Sequence, residues 1–217
     1  MNFTVVNVDQ RSDEWKQARC GRLTSSCADI LFKEGRKKGE PSYQRRDLVI
    51  RLALERMTGR SQDEDGFQSA AMQRGVEREV DARLAYEAAT GSLVREAGFL
   101  QHTAHLAGTS LDGYVGDFDG IVELKCPKSA THIGYLESQK IPDDYFAQIR
   151  HHVWITGAQW ADFVSFDDRL PEHLQLVIVR VTREQLAIDD YQKAALLLLK
   201  EVEAKVAALT NLRPVAA

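Results

Sequence analysis

Ser110-Leu111-Asp112-Gly113 is followed, after a short gap, by Val122-Glu123-Leu124-Lys125-Cys126-Pro127. Asp112-Gly113 has the composition of a turn, and the apolar residues around Glu123 and Lys125 are typical of a β-strand. Residues two apart on a strand point to the same face of a sheet, so Glu123 and Lys125 should share one face. We therefore expect three ionisable side chains to converge in this part of the chain.

Two interpretations of this convergence differ in function. An isolated Glu-x-Lys on a strand usually lies on a solvated sheet face, beside an ordinary hairpin turn. Here the strand also carries four apolar residues, Ile121, Val122, Leu124 and Cys126. Charged groups among these apolar side chains need a reason. Paired carboxylates offer hard oxygen ligands for Mg²⁺, and an ammonium beside them can orient a metal-bound water for attack on phosphorus.

Length and composition favour an ordinary globular chain. With 217 residues, 44% hydrophobic and 28% charged, the sequence predicts a single domain over residues 1–217. The three cysteines are odd in number and form no C-x-x-C pair, so reduced thiols are expected. No signal-peptide pattern or membrane-length apolar run is present, which predicts a soluble cytoplasmic protein. The net charge of −4 means that any nucleic-acid site must be a local basic surface.

Apolar spacing and capping residues predict the secondary structure. Helices are expected over 10–19, from a start near Ser26, and over 42–58, 68–90, 144–156 and 183–209. Short strands are expected over 93–100, 107–110, 114–115, 120–124, 160–166 and 174–181. A mobile loop is predicted at 32–41, which includes Lys38, and a polar linker at 60–66. This order favours an α/β or α+β core with a central mixed β-sheet flanked by helices.

At this point the chain resembles a known family. Asp112 and Glu123-Leu124-Lys125 match the bipartite PD-(D/E)xK nuclease motif, and 108–113 is similar to the longer S-P-D-G form of the lambda exonuclease and YqaJ-like viral recombinase family. Three further blocks resemble the same family in the same order: 10–15 with 19–26, 74–79 with 82–87, and 145–149. Each block alone is weak, but together they span most of the chain.

The resemblance implies a restriction-endonuclease-like core and a Mg²⁺-dependent exonuclease, with Mn²⁺ able to substitute. It implies hydrolysis of double-stranded DNA from 5′ ends to mononucleotides for phage-type recombination, with a single-strand annealing protein as partner. A ring-shaped homotrimer on DNA ends is implied as well. An endonuclease with the same core, of the restriction or junction-cleaving type, is the nearest alternative. A DNA-end-binding protein without catalysis is a further alternative, which the intact Asp, Glu and Lys set opposes.

The same resemblance assigns the catalytic roles. Asp112 and Glu123 would bind the metal ion, with the backbone carbonyl of Leu124 as a further oxygen ligand. Lys125 would orient the nucleophilic water. Glu79 would supply a second acidic contact, either direct or through water. Without the resemblance, Glu79 would be interpreted as an ordinary solvated charge.

Four polar residues outside the motif complete the expected site. By the resemblance, Gln148 would hydrogen-bond the water or a phosphate. Arg19, Ser26 and Ser110 match positions that form a pocket for a terminal 5′ phosphate, and the planar guanidinium of an arginine suits phosphate oxygens. Ser26 has a second interpretation, because a serine before an apolar helical pattern is also a common helix cap.

The chain departs from the family pattern at two positions. Leu111 replaces the proline that usually precedes the motif aspartate, which removes no metal ligand. A basic residue that follows the family's E-x-K-C-P segment falls near Thr131, and His132, Lys128 or Arg22 could replace it.

The adjacent histidines His151 and His152 are expected to be structural. Mg²⁺ favours oxygen ligands, and neighbouring residues on a helix point in different directions.

Overall fold

The computed structural model describes residues 1–37, 39–62 and 70–212. One sheet contains β1 (Phe3–Val6), β2 (Leu23–Thr24), β3 (Phe99–His102) and β4 (Ala107–Thr109), in the order β1-β3-β4-β2. A second sheet contains β5 (Gly113–Val115), β6 (Gly120–Lys125), β7 (Trp160–Phe166) and β8 (Leu176–Thr182), in that order. Each sheet has parallel and antiparallel pairs. The predicted mixed α/β class is confirmed, with the strands divided between two sheets.

Six α-helices surround these sheets in the described part of the chain. They are α1 (Asp13–Arg19), α2 (Tyr43–Thr58), α3 (Ala70–Thr90), α4 (Ser129–Ser138), α5 (Asp143–Thr156) and α6 (Ile188–Thr210). Ser12 and Ser42 cap α1 and α2 by accepting backbone N–H groups through their hydroxyls. Gly59 and Gly157 end α2 and α5 in the left-handed conformation that glycine adopts without strain.

Several predicted bounds need correction. Ser25–Phe32 is a 3₁₀ helix with Thr24 at its N-cap, so Ser26 does not cap it. In the predicted strand 93–100, only its last two residues belong to β3, although an isolated bridge joins Arg95 to Tyr114. The closing helix begins at Ile188 rather than 183, and α4 was not predicted. The predictions for Lys38, for 63–66 and for the start of the helix at 68 fall outside the described residues.

The helix α5 lies between the two sheets and contacts β3, β4, β6 and β7. Its buried residues, including Ile149 and Val153, share one apolar core with Ile121 of β6 and Phe163 of β7. The opposite face of the second sheet packs on α3, where Val122 and Leu124 meet Ala82 and Tyr86 in a second cluster. The strand β6 is therefore covered on both faces.

Strand register brings the two halves of the motif together. The strand β5 runs antiparallel to β6 with Gly113 opposite Val122, which places Asp112 near the C-terminal end of β6. A Cβ atom at Gly113 would collide with the side chain of Val94, so glycine is required beside Asp112. The strand β6 is parallel to β7, with Glu123 opposite Phe163.

The three cysteines are free, as predicted. Within the ranges that the structure describes, no helix has the length and apolar character needed to cross a bilayer.

Candidate active site

Asp112, Glu123 and Lys125 converge at the end of β6. The carboxylate of Asp112 accepts a hydrogen bond from the Leu124 N–H group at 2.8 Å and lies 3.3 Å from Nζ of Lys125, both through Oδ2. Nζ of Lys125 is also 2.5 Å from Oε1 of Glu123. One ammonium group therefore lies against two carboxylates.

Burial makes this charge arrangement costly. The Glu123 side chain is 1% exposed, and that of Asp112 is 21% exposed. Burial, together with repulsion from Glu123, raises the pKa of Asp112. Burial also disfavours ionisation of Glu123, but Lys125 and a hydrogen bond with His152 outweigh it and lower the pKa of Glu123 to about 2. The site thus holds an excess of buried negative charge.

The ligand chemistry of this cluster fits a hard divalent cation. Oε1 of Glu123 is buried, and among the described residues it accepts no hydrogen bond of good geometry, although the Lys125 ammonium is close. Within the same ranges, no group of three or more His, Cys, Asp and Glu side chains is arranged to enclose a metal on its own. Two carboxylates and a backbone carbonyl leave positions open for water and substrate oxygens, which is how proteins usually bind Mg²⁺.

Glu79 lies near this cluster, whereas Glu77 on the same helix does not. Burial and the charge of Asp112 raise the pKa of Glu79, and Nη2 of Arg11 is 3.8 Å from its Oε1. Glu77 is exposed and accepts a hydrogen bond from Gln73. A cleft of about 640 Å³ opens beside Glu79 and Asp112. The geometry therefore places Glu79, and not Glu77, beside the carboxylates.

The face of α5 that meets β6 carries three polar or aromatic side chains at helical spacing. Tyr145 places its ring centroid 5.2 Å from Nζ of Lys125. Gln148 is half-buried one turn further along the same side of the helix. His152 follows after another turn, with Nε2 2.9 Å from Oε2 of Glu123. The expected residue Gln148 is thus placed on the side of α5 that faces the carboxylates.

The residues predicted to hold a terminal phosphate are also close together. Nη2 of Arg19 donates to Oγ of Ser26 at 3.4 Å, and the guanidinium lies 4.0 Å from the ring centroid of Trp15. Nε1 of Trp15 donates to Oγ of Ser110 at 2.7 Å. Because Ser110 is two residues before Asp112, this group adjoins the carboxylate cluster.

Two residues of this group were given no functional role from the sequence. Trp15 lies within the block 10–15, and the structure shows that it connects Arg19 to Ser110. His152 was expected to be structural, although it contacts Glu123 directly. A tryptophan four residues before a candidate phosphate-binding arginine was an available signal for the first. The second depends on contacts between distant parts of the chain and had no local signal.

Three residues could replace the basic residue that the family carries near the position of Thr131, namely His132, Lys128 and Arg22. The structure excludes His132. His132 is fully buried, and its ring nitrogens lie 2.7 Å from Oγ of Ser165 and 2.8 Å from the Leu174 carbonyl. His132 is therefore a structural residue and no phosphate contact. Lys128 is exposed just before α4, whereas Arg22 lines a separate cleft with His102 and His105.

The fold and the strand-end Asp, Glu and Lys set define a nuclease of the PD-(D/E)xK type. Residues 14–159 match the YqaJ-like viral recombinase domain. The chain belongs to this family, and it is an exonuclease.

Solved structures agree with this assignment. An alkaline exonuclease from Laribacter hongkongensis, LHK-Exo, is 34% identical with a TM-score of 0.80, over 92% of this chain and 96% of that chain. Its complex with dAMP gives 36% identity and a TM-score of 0.79, over 91% of this chain and 96% of that one. A phage-related exonuclease from Haemophilus somnus 129PT shares the fold at 17% identity, with a TM-score of 0.65 over 87% and 96% of the two chains. No curated protein matches the chain.

Proposed function

We propose that this exonuclease degrades double-stranded DNA from 5′ ends to mononucleotides in a Mg²⁺-dependent reaction. The observation that carries the proposal is the continuity between two groups of residues. The carboxylate cluster at Asp112 adjoins the Arg19, Ser26 and Trp15 group through Ser110. A terminal phosphate at Arg19 would therefore lie close to the position where a phosphodiester would be cleaved.

Asp112, Glu123 and the backbone carbonyl of Leu124 would hold the metal ion, and Glu79 would add an acidic contact directly or through water. When bound, Mg²⁺, or Mn²⁺ in its place, would activate water and stabilise charge on the phosphoryl oxygens. Lys125 lies against both carboxylates, so it can orient the attacking water through its ammonium N–H groups. Gln148 can hydrogen-bond the same water or a phosphate oxygen from its side of α5.

The direction of digestion would be set by Arg19. Its guanidinium offers a planar set of donors for phosphate oxygens, and the hydroxyls of Ser26 and Ser110 can add hydrogen bonds. Stacking of the guanidinium over Trp15 holds it in one orientation. A 5′ phosphate anchored there would fix the register of the strand end.

The family supports a proposal for the biological setting. The chain would act as one nuclease domain within a homotrimer on DNA ends. It would prepare single strands for a single-strand annealing protein in phage-type recombination.

The experiment is a time course on linear duplex DNA with either a 5′ phosphate or a 5′ hydroxyl, in Mg²⁺ and in EDTA. We expect mononucleotide release only with Mg²⁺ and faster release from phosphorylated ends. A covalently closed plasmid serves as the substrate control, because an endonuclease of the same core would linearise it. Digestion from 3′ ends, or unchanged digestion in EDTA, would overturn the proposal.

Two variants test the phosphate pocket within this experiment. Arg19→Ala should lose most activity on phosphorylated ends and reduce the ratio of the two rates towards one. Lys16→Ala removes the same charge from the same helix and should leave the ratio unchanged. Because the readout is a ratio, loss of folded protein cancels. A full 5′-phosphate preference in Arg19→Ala would exclude the pocket while leaving the metal site untouched.

A further inference from the structure

A buried chain of hydrogen bonds runs from the first sheet to the carboxylate cluster. Oγ1 of Thr109, on β4, lies 2.6 Å from Nδ1 of His152. Nε2 of the same ring lies 2.9 Å from Oε2 of Glu123. All three residues are 0% exposed, so these contacts lie away from bulk solvent.

The positions of the protons in this chain follow from the chemistry of its ends. An ionised carboxylate only accepts hydrogen bonds, so Nε2 of His152 must carry a proton and donate a hydrogen bond to Glu123. In the neutral ring, Nδ1 is then an acceptor, and the hydroxyl of Thr109 donates to it. The carboxylate of Glu123 therefore sets the tautomer, and the contact with Thr109 helps to fix the orientation of the ring.

We infer that His152 is a positioning residue for the metal-binding carboxylate of Glu123. Its hydrogen bond occupies Oε2 and prevents rotation of the carboxylate. Oε1 is then held towards Lys125 and Asp112, where the ion would bind. This inference rests on the proposed function, since it assigns a role relative to the metal ion. Residues that orient a metal ligand in this way typically change metal affinity by about 10- to 100-fold when they are replaced.

His151 provides a matched control one residue away. It is also 0% exposed, and its ring nitrogens lie 2.7 Å from the Tyr191 hydroxyl and 3.0 Å from the Gly108 carbonyl. No contact joins it to Glu123 among the described residues. Replacing His151 thus disturbs a similarly buried and hydrogen-bonded ring on the same helix without touching the carboxylate.

The test compares His152→Asn with His152→Gln. The asparagine amide can reproduce the Nδ1 position that faces Thr109 but is too short to reach Glu123. The longer glutamine amide can reproduce the Nε2 donor. Calorimetric titration of the DNA-free protein with Mn²⁺ alone measures metal affinity, and the unfolding temperature in EDTA measures the fold. We expect about 10- to 100-fold weaker Mn²⁺ binding in His152→Asn, recovery in His152→Gln, and wild-type affinity in His151→Asn.

Thr109→Val keeps the test decisive if His152→Asn fails to fold. It removes the far end of the hydrogen-bond chain without altering Glu123, so a folded variant should bind Mn²⁺ more weakly than wild type. Wild-type Mn²⁺ affinity in folded His152→Asn or folded Thr109→Val would overturn the positioning role while the proposed function stands. An equal loss of Mn²⁺ affinity in His151→Asn would overturn it as well. If the wild-type protein bound no divalent metal, the proposed function would fail and the inference with it.

Discussion

Two fully buried carboxylates, Asp162 and Glu123, lie on opposite faces of the second sheet. They differ in how the fold compensates their negative charge. Asp162 on β7 faces α3, where Arg180 donates to both of its oxygens at 2.8 and 2.7 Å and the Tyr86 hydroxyl donates at 2.7 Å. Glu123 on β6 faces α5, where it shares the ammonium of Lys125 with Asp112. Asp162 is fully paired, whereas Asp112 and Glu123 depend on a single ammonium group.

We propose that Asp162 is a structural carboxylate and Glu123 a functional one. A buried charge must be compensated, and a fold that needs only stability compensates it completely, as at Asp162. In the proposed function, a bound cation would remove the repulsion between Asp112 and Glu123. Burial alone would not distinguish Glu123 from Asp162, but the balance of charge and hydrogen bonds does.

The largest effect is expected from a substitution of Glu123. Glu123→Gln keeps the shape of the side chain but removes the charge that would bind Mg²⁺. The turnover rate on linear duplex DNA should fall by roughly 10⁴-fold, because a bound cation supplies several kcal/mol of transition-state stabilisation. The unfolding temperature should fall, because the variant removes the charge that Lys125 and His152 stabilise in the folded protein. Turnover within tenfold of wild type would contradict the assignment.

The next effect separates water positioning from metal binding. Lys125→Met keeps the length of the side chain and should lower turnover by roughly 10³-fold, because the group that orients the water is lost. Affinity for Mn²⁺ should be retained or increased, since the competing ammonium is gone. Lys140→Met, at an exposed lysine between α4 and α5, is the control and should behave as wild type. Loss of metal binding in Lys125→Met would show that the lysine supports the fold and not the chemistry.

The smallest effect falls on the structural carboxylate. Asp162→Asn leaves the Arg180 guanidinium and the Tyr86 hydroxyl imperfectly paired. Arg180 is 52% exposed and can recover water contacts, so the free energy of unfolding should decrease by only about 1–3 kcal/mol. Denaturant unfolding measures this change, and turnover per folded molecule should remain within a few-fold of wild type. Unchanged stability, or a loss of turnover like that of Glu123→Gln, would remove the distinction between the two faces.

The parts of this fold that depend on local signals could be predicted from the sequence. The extents of α2, α5 and β7 agree with prediction within a residue. The helix α4 was missed because its segment has only one buried residue, His132, and so lacks an apolar stripe. The division into two sheets was missed because it depends on pairings such as β1 with β3, which are distant in sequence.

The same contrast between local and long-range signals applies to the candidate site. Asp112, Glu123 and Lys125 could be selected because their spacing is a motif, and register then brings them together. The role of His152 could not be predicted, because its partners Thr109 and Glu123 are 43 and 29 residues away in the chain. The pairing of Asp162 could not be predicted either, because the residue lies within an apolar strand and its partners Arg180 and Tyr86 belong to other elements.

The most direct test of the account is Mn²⁺ binding to the DNA-free protein, measured by calorimetry for wild type, Glu123→Gln and Asp162→Asn side by side. We expect wild type and Asp162→Asn to bind with the same affinity, and Glu123→Gln to show no measurable binding. Both variants remove one negative charge from a fully buried carboxylate of the same sheet, so only its position differs. Equal binding by all three proteins, or loss of binding in Asp162→Asn, would contradict the placement of the metal site at Asp112 and Glu123.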